Sequence, residues 1–361
     1  MKATLKLHEM GQSLWLDNIT RGLLTEGTLR HYIQDFSVTG LTSNPSIFDH
    51  AIANSKDYDD AIRQKVKERK SGEALFFELA LEDLVAAADL LRPIYDQTGG
   101  VDGWVSLEVS PKLAHDTVAT VAAAKELHSR ANRANLFIKI PGTAEGLQAI
   151  EEAIFAGVPV NVTLLFSRDQ YLASADAYLK GIERRIAAGL NPIVGSVASV
   201  FISRWDVAVK DRAPADLRNQ LGVAIAQRTY KAYREFLHEP RSKSLHDKGA
   251  RSQRLLWAST GTKDPEASDT LYVRALAAPF TVNTIPEPTL RAFADHGEVG
   301  AEMPADGGDC EDVLVEFGKA EINTDALAAQ LQDEGVKAFA KAWDELLGLI
   351  SSKGEELKKA S

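Results

Sequence analysis

The sequence predicts an α/β fold closed into a (β/α)8 barrel of the TIM type, on three observations. Eight short runs rich in β-branched, leucine and aromatic residues recur along the 361 residues. Segments whose apolar residues repeat with helical spacing separate them. Strands joined by such helices are parallel, and eight consecutive units can close the sheet on itself.

In chain order the strand runs are 14–17, 38–44, 103–110, 136–141, 159–167, 193–203, 254–260 and 281–285. Helical spacing is clear over 113–131, 144–156 and 169–187. Residues 54–91 are helical and charge-laced with no strand among them, so one connection carries a helical insertion. Helix-rich sequence follows Pro288, and a helical extension over about 308–361 contains one long helix at 327–350. The polar, lysine-rich end, 351–361, is expected to fray in solvent. No repeat, low-complexity block or Pro/Gly/Ser-rich linker divides the chain, so residues 1–361 are expected to form one barrel domain.

Composition narrows the function. With 45% apolar and 25% charged residues the chain has the makings of an ordinary globular core. Its 41 Lys+Arg against 51 Asp+Glu leave a net charge of −10, which disfavours nucleic acid and anionic membranes as partners. Cys310 is the sole cysteine, which rules out an internal disulfide and a cysteine zinc site and fits a reducing compartment. The first ten residues lack a signal-peptide apolar core, and no run approaches roughly 18 unbroken apolar residues, so a cytoplasmic location is expected. The histidines, His8, His31, His115 and His296 among them, show no metal-ligand spacing, and no phosphate-cradling glycine motif is present. Neither a metal nor any other cofactor is expected. Ser199 and Ser259 lack the setting of a serine-hydrolase nucleophile.

Strands buried on both faces should be almost wholly apolar, yet several of these are not. Side chains alternate across a strand, so Val105, Leu107 and Val109 face the helices while Trp104, Ser106 and Glu108 face the axis. By the same rule Leu136, Ile138 and Ile140 face outward and Lys139 inward. On the next strand Val160, Val162, Leu164 and Phe166 are predicted outward and Asn161 and Thr163 inward. Asp17, Ser199, Phe201 and Ser203 also point to the axis, and Asn44 and Ser259 sit near strand ends. Most lie late in their strands, the end where barrel enzymes keep their chemistry.

A lone inward Ser, Thr or Asn is commonly a satisfied core group. A lysine there is costly unless used, although a structural ion pair between Lys139 and Glu108 or Asp17 is the plain alternative. An amine kept from water can attack a carbonyl and form an imine, an electron sink for C–C cleavage. That chemistry needs groups to move protons at the nitrogen and at the hydroxyl beside the breaking bond. Asp17 and Glu108 can fill those roles, in either assignment. Asn161 and Thr163 can hold a water or substrate hydroxyls.

Four segments then carry a family likeness: Thr42-Ser43-Asn44-Pro45-Ser46-Ile47-Phe48, Phe137-Ile138-Lys139-Ile140-Pro141, Asn161-Val162-Thr163-Leu164-Leu165-Phe166-Ser167 and Trp257-Ala258-Ser259-Thr260-Gly261. They resemble transaldolase motifs, in that family's order, and the likeness runs from about Trp15 into the C-terminal helix. The resemblance implies a (β/α)8 barrel with Lys139 as the imine-forming residue and Asp17 as the acid/base at the substrate hydroxyl. It implies that Glu108 and Thr163 position a proton-relaying water. Asn44, Asn161 and Ser199 match positions that hold the dihydroxyacetone moiety, Phe201 lines the same pocket, and Arg204 and Ser259 match phosphate-binding positions.

Two departures stand out. Ser199-Val200-Phe201-Ile202-Ser203-Arg204 replaces the family's S-P-F-x-G-R, and Gly261 stands where many members have an arginine. Lys263 is either its substitute or a plain surface lysine. The activity implied is reversible transfer of a dihydroxyacetone unit from sedoheptulose 7-phosphate or fructose 6-phosphate to glyceraldehyde 3-phosphate or erythrose 4-phosphate. This is a step of the non-oxidative pentose phosphate pathway, by a monomer or homodimer acting on sugar phosphates. The alternatives are an aldolase that splits fructose 6-phosphate, and a non-catalytic barrel that binds sugar phosphates.

Overall fold

The computed structural model describes residues 2–359. All eight predicted strands form, as β1 (Ser13–Asp17), β2 (Val38–Thr42), β3 (Trp104–Glu108), β4 (Leu136–Pro141), β5 (Val160–Leu165), β6 (Ser196–Phe201), β7 (Arg254–Ala258) and β8 (Val282–Pro286). They pair in sequence order, all parallel, and β8 returns to β1 to close the barrel. Three helices, Pro45–Asn54, Asp59–Lys67 and Gly72–Gln97, occupy the long connection between β2 and β3. The helix expected from residue 113 begins instead at Thr117, because Asp116 caps it by accepting from the Ala119 N–H at 2.9 Å. Among the described residues no helix is long and apolar enough to cross a membrane.

Two apolar layers result from the alternation. Leu14, Leu16, Val105, Leu107, Ile138 and Ile140 pack outward against the helices. Trp15, Trp104, Phe137, Val197, Leu256 and Val282 fill the axis. The Trp15 indole lies where a Cβ on Gly40 would stand, only 2.6 Å away, so the strand beside it needs a glycine. Burial of this kind removes whole side chains from water at about 25 cal/mol per Å2 of apolar surface.

Two expectations are corrected. Leu164 and Phe166 do not face the helices: they belong to the inner cluster with Phe201 and Trp205, while Leu165 takes the outward place. The cause is a break in the β5–β6 ladder after Val162, where Leu164 adopts a left-handed φ of 59° and reverses the order of faces. Residues 351–359 are not frayed either. One helix runs from Thr324 to Lys359, and its last turns are held by Lys353. The Lys353 Nζ donates to the Ile52 and Ser55 carbonyls at 2.8 and 2.7 Å and pairs with Asp59 at 2.9 Å. Residues 360 and 361 of the predicted tail lie outside the described residues.

Candidate active site

Strand register sets the chemistry in a row. Glu108 on β3 pairs with Lys139 on β4, which pairs with Asn161 on β5. All three side chains face the axis and are buried. The Lys139 Nζ donates to Glu108 Oε2 and to the Ser43 carbonyl, both at 3.2 Å. It stands at the wall of a cavity of about 260 Å3 at the C-terminal end of the barrel. Burial pushes the Glu108 carboxyl above its usual range, and the neighbouring Lys139 charge pulls part of that back.

Asp17, at the end of β1, faces the same cavity. Its carboxyl is also pushed up by burial, against the opposing pull of Lys139 and a 2.7 Å hydrogen bond from Thr42 Oγ1. A carboxyl so placed takes and keeps a proton more readily than one in water. Thr163 adds a buried hydroxyl to the lining with no hydrogen-bond partner in the protein. An orphaned polar atom in a cavity wall is suited to a water or a ligand hydroxyl.

The predicted residues do not all reach the cavity. Asp17, Asn44, Lys139, Thr163, Ser199 and Phe201 line it, as do Arg204, Ser259 and Lys263. Glu108 stands behind Lys139. Asn161 is fully buried, giving an N–H to Ser106 Oγ at 3.1 Å and accepting from Ser199 Oγ at 2.7 Å. It therefore orients Ser199 from beneath the lining. Asn44 works twice: its Oδ1 caps the helix Pro45–Asn54 through the Ile47 N–H at 3.1 Å, which leaves its amide N–H groups for a ligand.

The far wall is cationic. The Arg204 guanidinium packs 5.0 Å from the Phe201 ring centroid and 5.8 Å from that of Phe339. Among the described residues it has neither a hydrogen bond nor an ion pair, and burial pulls its pKa below the usual guanidinium range. Five N–H donors without acceptors, beside a cavity, are suited to a bidentate oxyanion. Ser259 lines the same cavity in a left-handed conformation, φ 56°, with its hydroxyl 2.9 Å from that of Ser203. Lys263 is exposed, and its Nζ folds back to 3.9 Å from where a Cβ on Gly261 would stand. The lysine amine thus occupies the neighbourhood in which the resemblance leads one to expect an arginine. Among the described residues no three His, Cys, Asp or Glu side chains are grouped to hold a metal ion.

The roof of the cavity comes from the other end of the chain. Three residues on one face of the helix Thr324–Lys359 dock on the barrel mouth. Gln332 Nε2 donates to the Gly142 and Leu164 carbonyls, each at 3.0 Å. Gly335 lets Leu164 approach, since a Cβ there would lie 2.9 Å from Leu164 Cδ2. Phe339 then covers the cavity, with its ring centroid 5.6 Å from the Lys139 amine. The reversed backbone at Leu164 is what presents its carbonyl and side chain to this helix.

Comparison with known proteins agrees with this arrangement. The sequence profile described as transaldolase/fructose-6-phosphate aldolase matches residues 14–350. The chain belongs to that family. A transaldolase of Saccharopolyspora erythraea is 43% identical over 98% of both chains. One of Thiobacillus denitrificans is 42% identical over 97% of this chain and all of its own, and one of Mycobacterium bovis is 43% identical over 94% of each. With transaldolases as relatives along nearly its whole length, the chain is an enzyme of the transferase class.

Within this transaldolase-family site, sequence reasoning passed over Thr42, Thr284 and Phe339. Thr42 and Thr284 join hydroxyls at 2.6 Å beside Asp17. Alternation marks Thr284 as axial, whereas the register shift between Val38 and Gly40 obscures the parity of Thr42. Phe339 gave no signal, because an apolar residue in a helix reads as core.

Proposed function

We propose that the chain moves a dihydroxyacetone unit between sugar phosphates through an imine on Lys139. The observation that carries this reading is a buried amine, Lys139, and an unpartnered guanidinium, Arg204, facing one cavity at the C-terminal end of the barrel. The Lys139 amine attacks the ketose carbonyl, and the carbinolamine formed loses water to give the imine. Glu108 and the Thr163 hydroxyl hold the water that carries protons between nitrogen and the departing oxygen. The Asp17 carboxylate takes the proton from the hydroxyl next to the breaking C–C bond, and the electron pair moves into the imine nitrogen. The aldose phosphate leaves, while the three-carbon enamine stays bound to Lys139. An acceptor aldehyde then reverses the steps, with Asp17 returning the proton to its oxygen. Asn44 and Ser199 bind the hydroxyls of the retained unit, and Arg204, Ser259 and Lys263 take the phosphate.

Borohydride reduction in the presence of fructose 6-phosphate, followed by peptide mass spectrometry, tests the chemistry. A three-carbon adduct on the peptide containing Lys139, lost in Lys139→Ala, is expected. An adduct on another lysine would sink the assignment. Assay with donor alone separates transfer from simple aldol cleavage: a transferase holds the dihydroxyacetone unit until an acceptor arrives, whereas steady release of free dihydroxyacetone marks an aldolase. Binding of sugar phosphates with neither adduct nor turnover would leave only a binding barrel.

A further inference from the structure

A second cavity, of about 510 Å3, opens at the opposite end of the barrel. Its walls include residues at or near the N-terminal ends of strands, Ser13 of β1, Trp104 of β3, Ser196 of β6 and Arg254 of β7. The four-residue step from Ser13 to Asp17 puts roughly 13 Å of strand between this opening and the catalytic end. An aromatic plug separates the two. Trp104 stacks on Phe137 with ring centroids 3.9 Å apart, and Trp15 packs against Phe137 at 6.1 Å. Gly195 makes room for it, since a Cβ there would stand 2.7 Å from the Trp104 ring. This cavity is therefore no extension of the Lys139 site.

Its chemistry is unusual for a chain of net charge −10. Apolar surface stands open to solvent at the rim, with Phe280 60% and Val101 54% exposed. Two guanidiniums border it and donate to neutral groups alone. Arg251 donates to the Gly99 and Gly100 carbonyls, and Arg254 to Ser13 Oγ at 2.8 Å, the Thr281 carbonyl at 3.0 Å and the Val101 carbonyl at 3.2 Å. Among the described residues neither has an ion pair with a carboxylate. The one carboxylate in the lining, Asp102, is already occupied by Ser13 Oγ, Trp15 Nε1 and the Gly103 N–H. A further group is left over. Gln12 is fully buried in the lining, its Nε2 donating to Leu276 O at 2.7 Å and Thr281 Oγ1 at 2.9 Å, while its Oε1 has no partner.

A buried acceptor without a donor costs free energy that a bound N–H or O–H recovers. Guanidiniums with no carboxylate in direct contact, at an apolar opening, favour an anion, and ring surfaces select a flat partner. A cavity of this size takes a molecule of about one to three rings. We propose that this opening is a binding site for a small aromatic anion that carries a hydrogen-bond donor. Its ring lies against Trp104 and Phe280, its carboxylate, sulfonate or phosphate meets Arg251 and Arg254, and its donor reaches Gln12 Oε1. Sugar phosphates, with hydroxyls on every face, do not match walls of this kind.

The full chain would be titrated with 8-anilinonaphthalene-1-sulfonate, which has two aromatic units, an N–H and an anionic group, and with its uncharged analogue N-phenyl-1-naphthylamine. One sulfonate probe per chain is expected, undisplaced by saturating fructose 6-phosphate. Arg251→Gln should weaken the sulfonate about tenfold, the loss of one charge-assisted hydrogen bond, and leave the neutral analogue within about twofold. Phe280→Ser, at an exposed position, should weaken both while leaving circular dichroism unchanged. Displacement by fructose 6-phosphate, equal loss of the two probes in Arg251→Gln, or no binding at all would overturn the proposal. A dimer that buries Phe280 and excludes the probe would do the same. Should Arg251→Gln not fold, the crystal structure of the native chain with the sulfonate decides the matter, and a probe seated elsewhere refutes it.

Discussion

Arg204→Lys would separate phosphate recognition from chemistry. The substitution keeps the charge and gives up the planar fork, so two parallel hydrogen bonds to one phosphoryl group become one. Each charge-assisted bond is worth about 1.5–3 kcal/mol, so kcat/KM for fructose 6-phosphate should fall roughly 10- to 150-fold. Arg204→Met, which removes both bonds, should cost about twice that free energy. The assay is transfer to erythrose 4-phosphate, run in parallel with unphosphorylated fructose as donor at high concentration. Fructose has no group for Arg204 to hold, so its much slower turnover should be unchanged in both variants. Stability gives an independent reading. Burial pulls the guanidinium below its usual range, so at neutral pH the fold holds this charge at a cost. Arg204→Met should accordingly leave Tm no lower than that of the parent chain. Equal losses with fructose and fructose 6-phosphate would refute the reasoning, because the guanidinium would then be acting on the reacting centre or on the fold.

Three other perturbations bear on the same architecture. Asp17→Asn should block C–C cleavage while borohydride still traps an imine with dihydroxyacetone, and loss of trapping as well would count against its assigned role. Because burial raises this carboxyl above its ordinary 3.8, its contribution to stability is present below that pH and is lost as pH rises through the folded value. The asparagine variant should therefore melt on the order of 2 °C or more higher at pH 7–8, with the gain vanishing near pH 3. Phe339→Ala should cost roughly 3 kcal/mol in urea unfolding and let water reach the enamine, seen as more free dihydroxyacetone released per transfer event. Lys353→Ala loses two carbonyl contacts and an ion pair, and should lower stability by about 2–3 kcal/mol while exposing the C-terminal turns to proteolysis.

Much of this molecule is legible from strand periodicity, for a physical reason. Lys139 and Glu108 interrupt apolar runs that pack against helices, and a charge in that setting can point only to the axis. The same parity marks Asp17, Thr163 and Ser199. The parity argument fails at Leu164, where a left-handed residue reverses the faces. Glycine or asparagine commonly signals such a backbone, and a leucine does not. Phe339 could not be read at all. Its place over Lys139 depends on how a helix almost two hundred residues later meets the barrel mouth, through Gln332, Gly335 and a carbonyl that only the reversed Leu164 presents. The ordered helix over 351–359 is equally hidden, since Lys353 looks like a solvent lysine until its carbonyl partners are seen.

The docking of that last helix gives the chain a temporal order. All eight strands, and with them Lys139, Glu108, Asp17 and Arg204, are complete in the first 286 residues, while the ring that covers the cavity arrives at position 339 and its anchor at 353. During synthesis the barrel can close around an amine that still lies open to the solvent and its aldehydes. On the function proposed above, the amine gains its cover only when the helix Thr324–Lys359 docks on the barrel mouth.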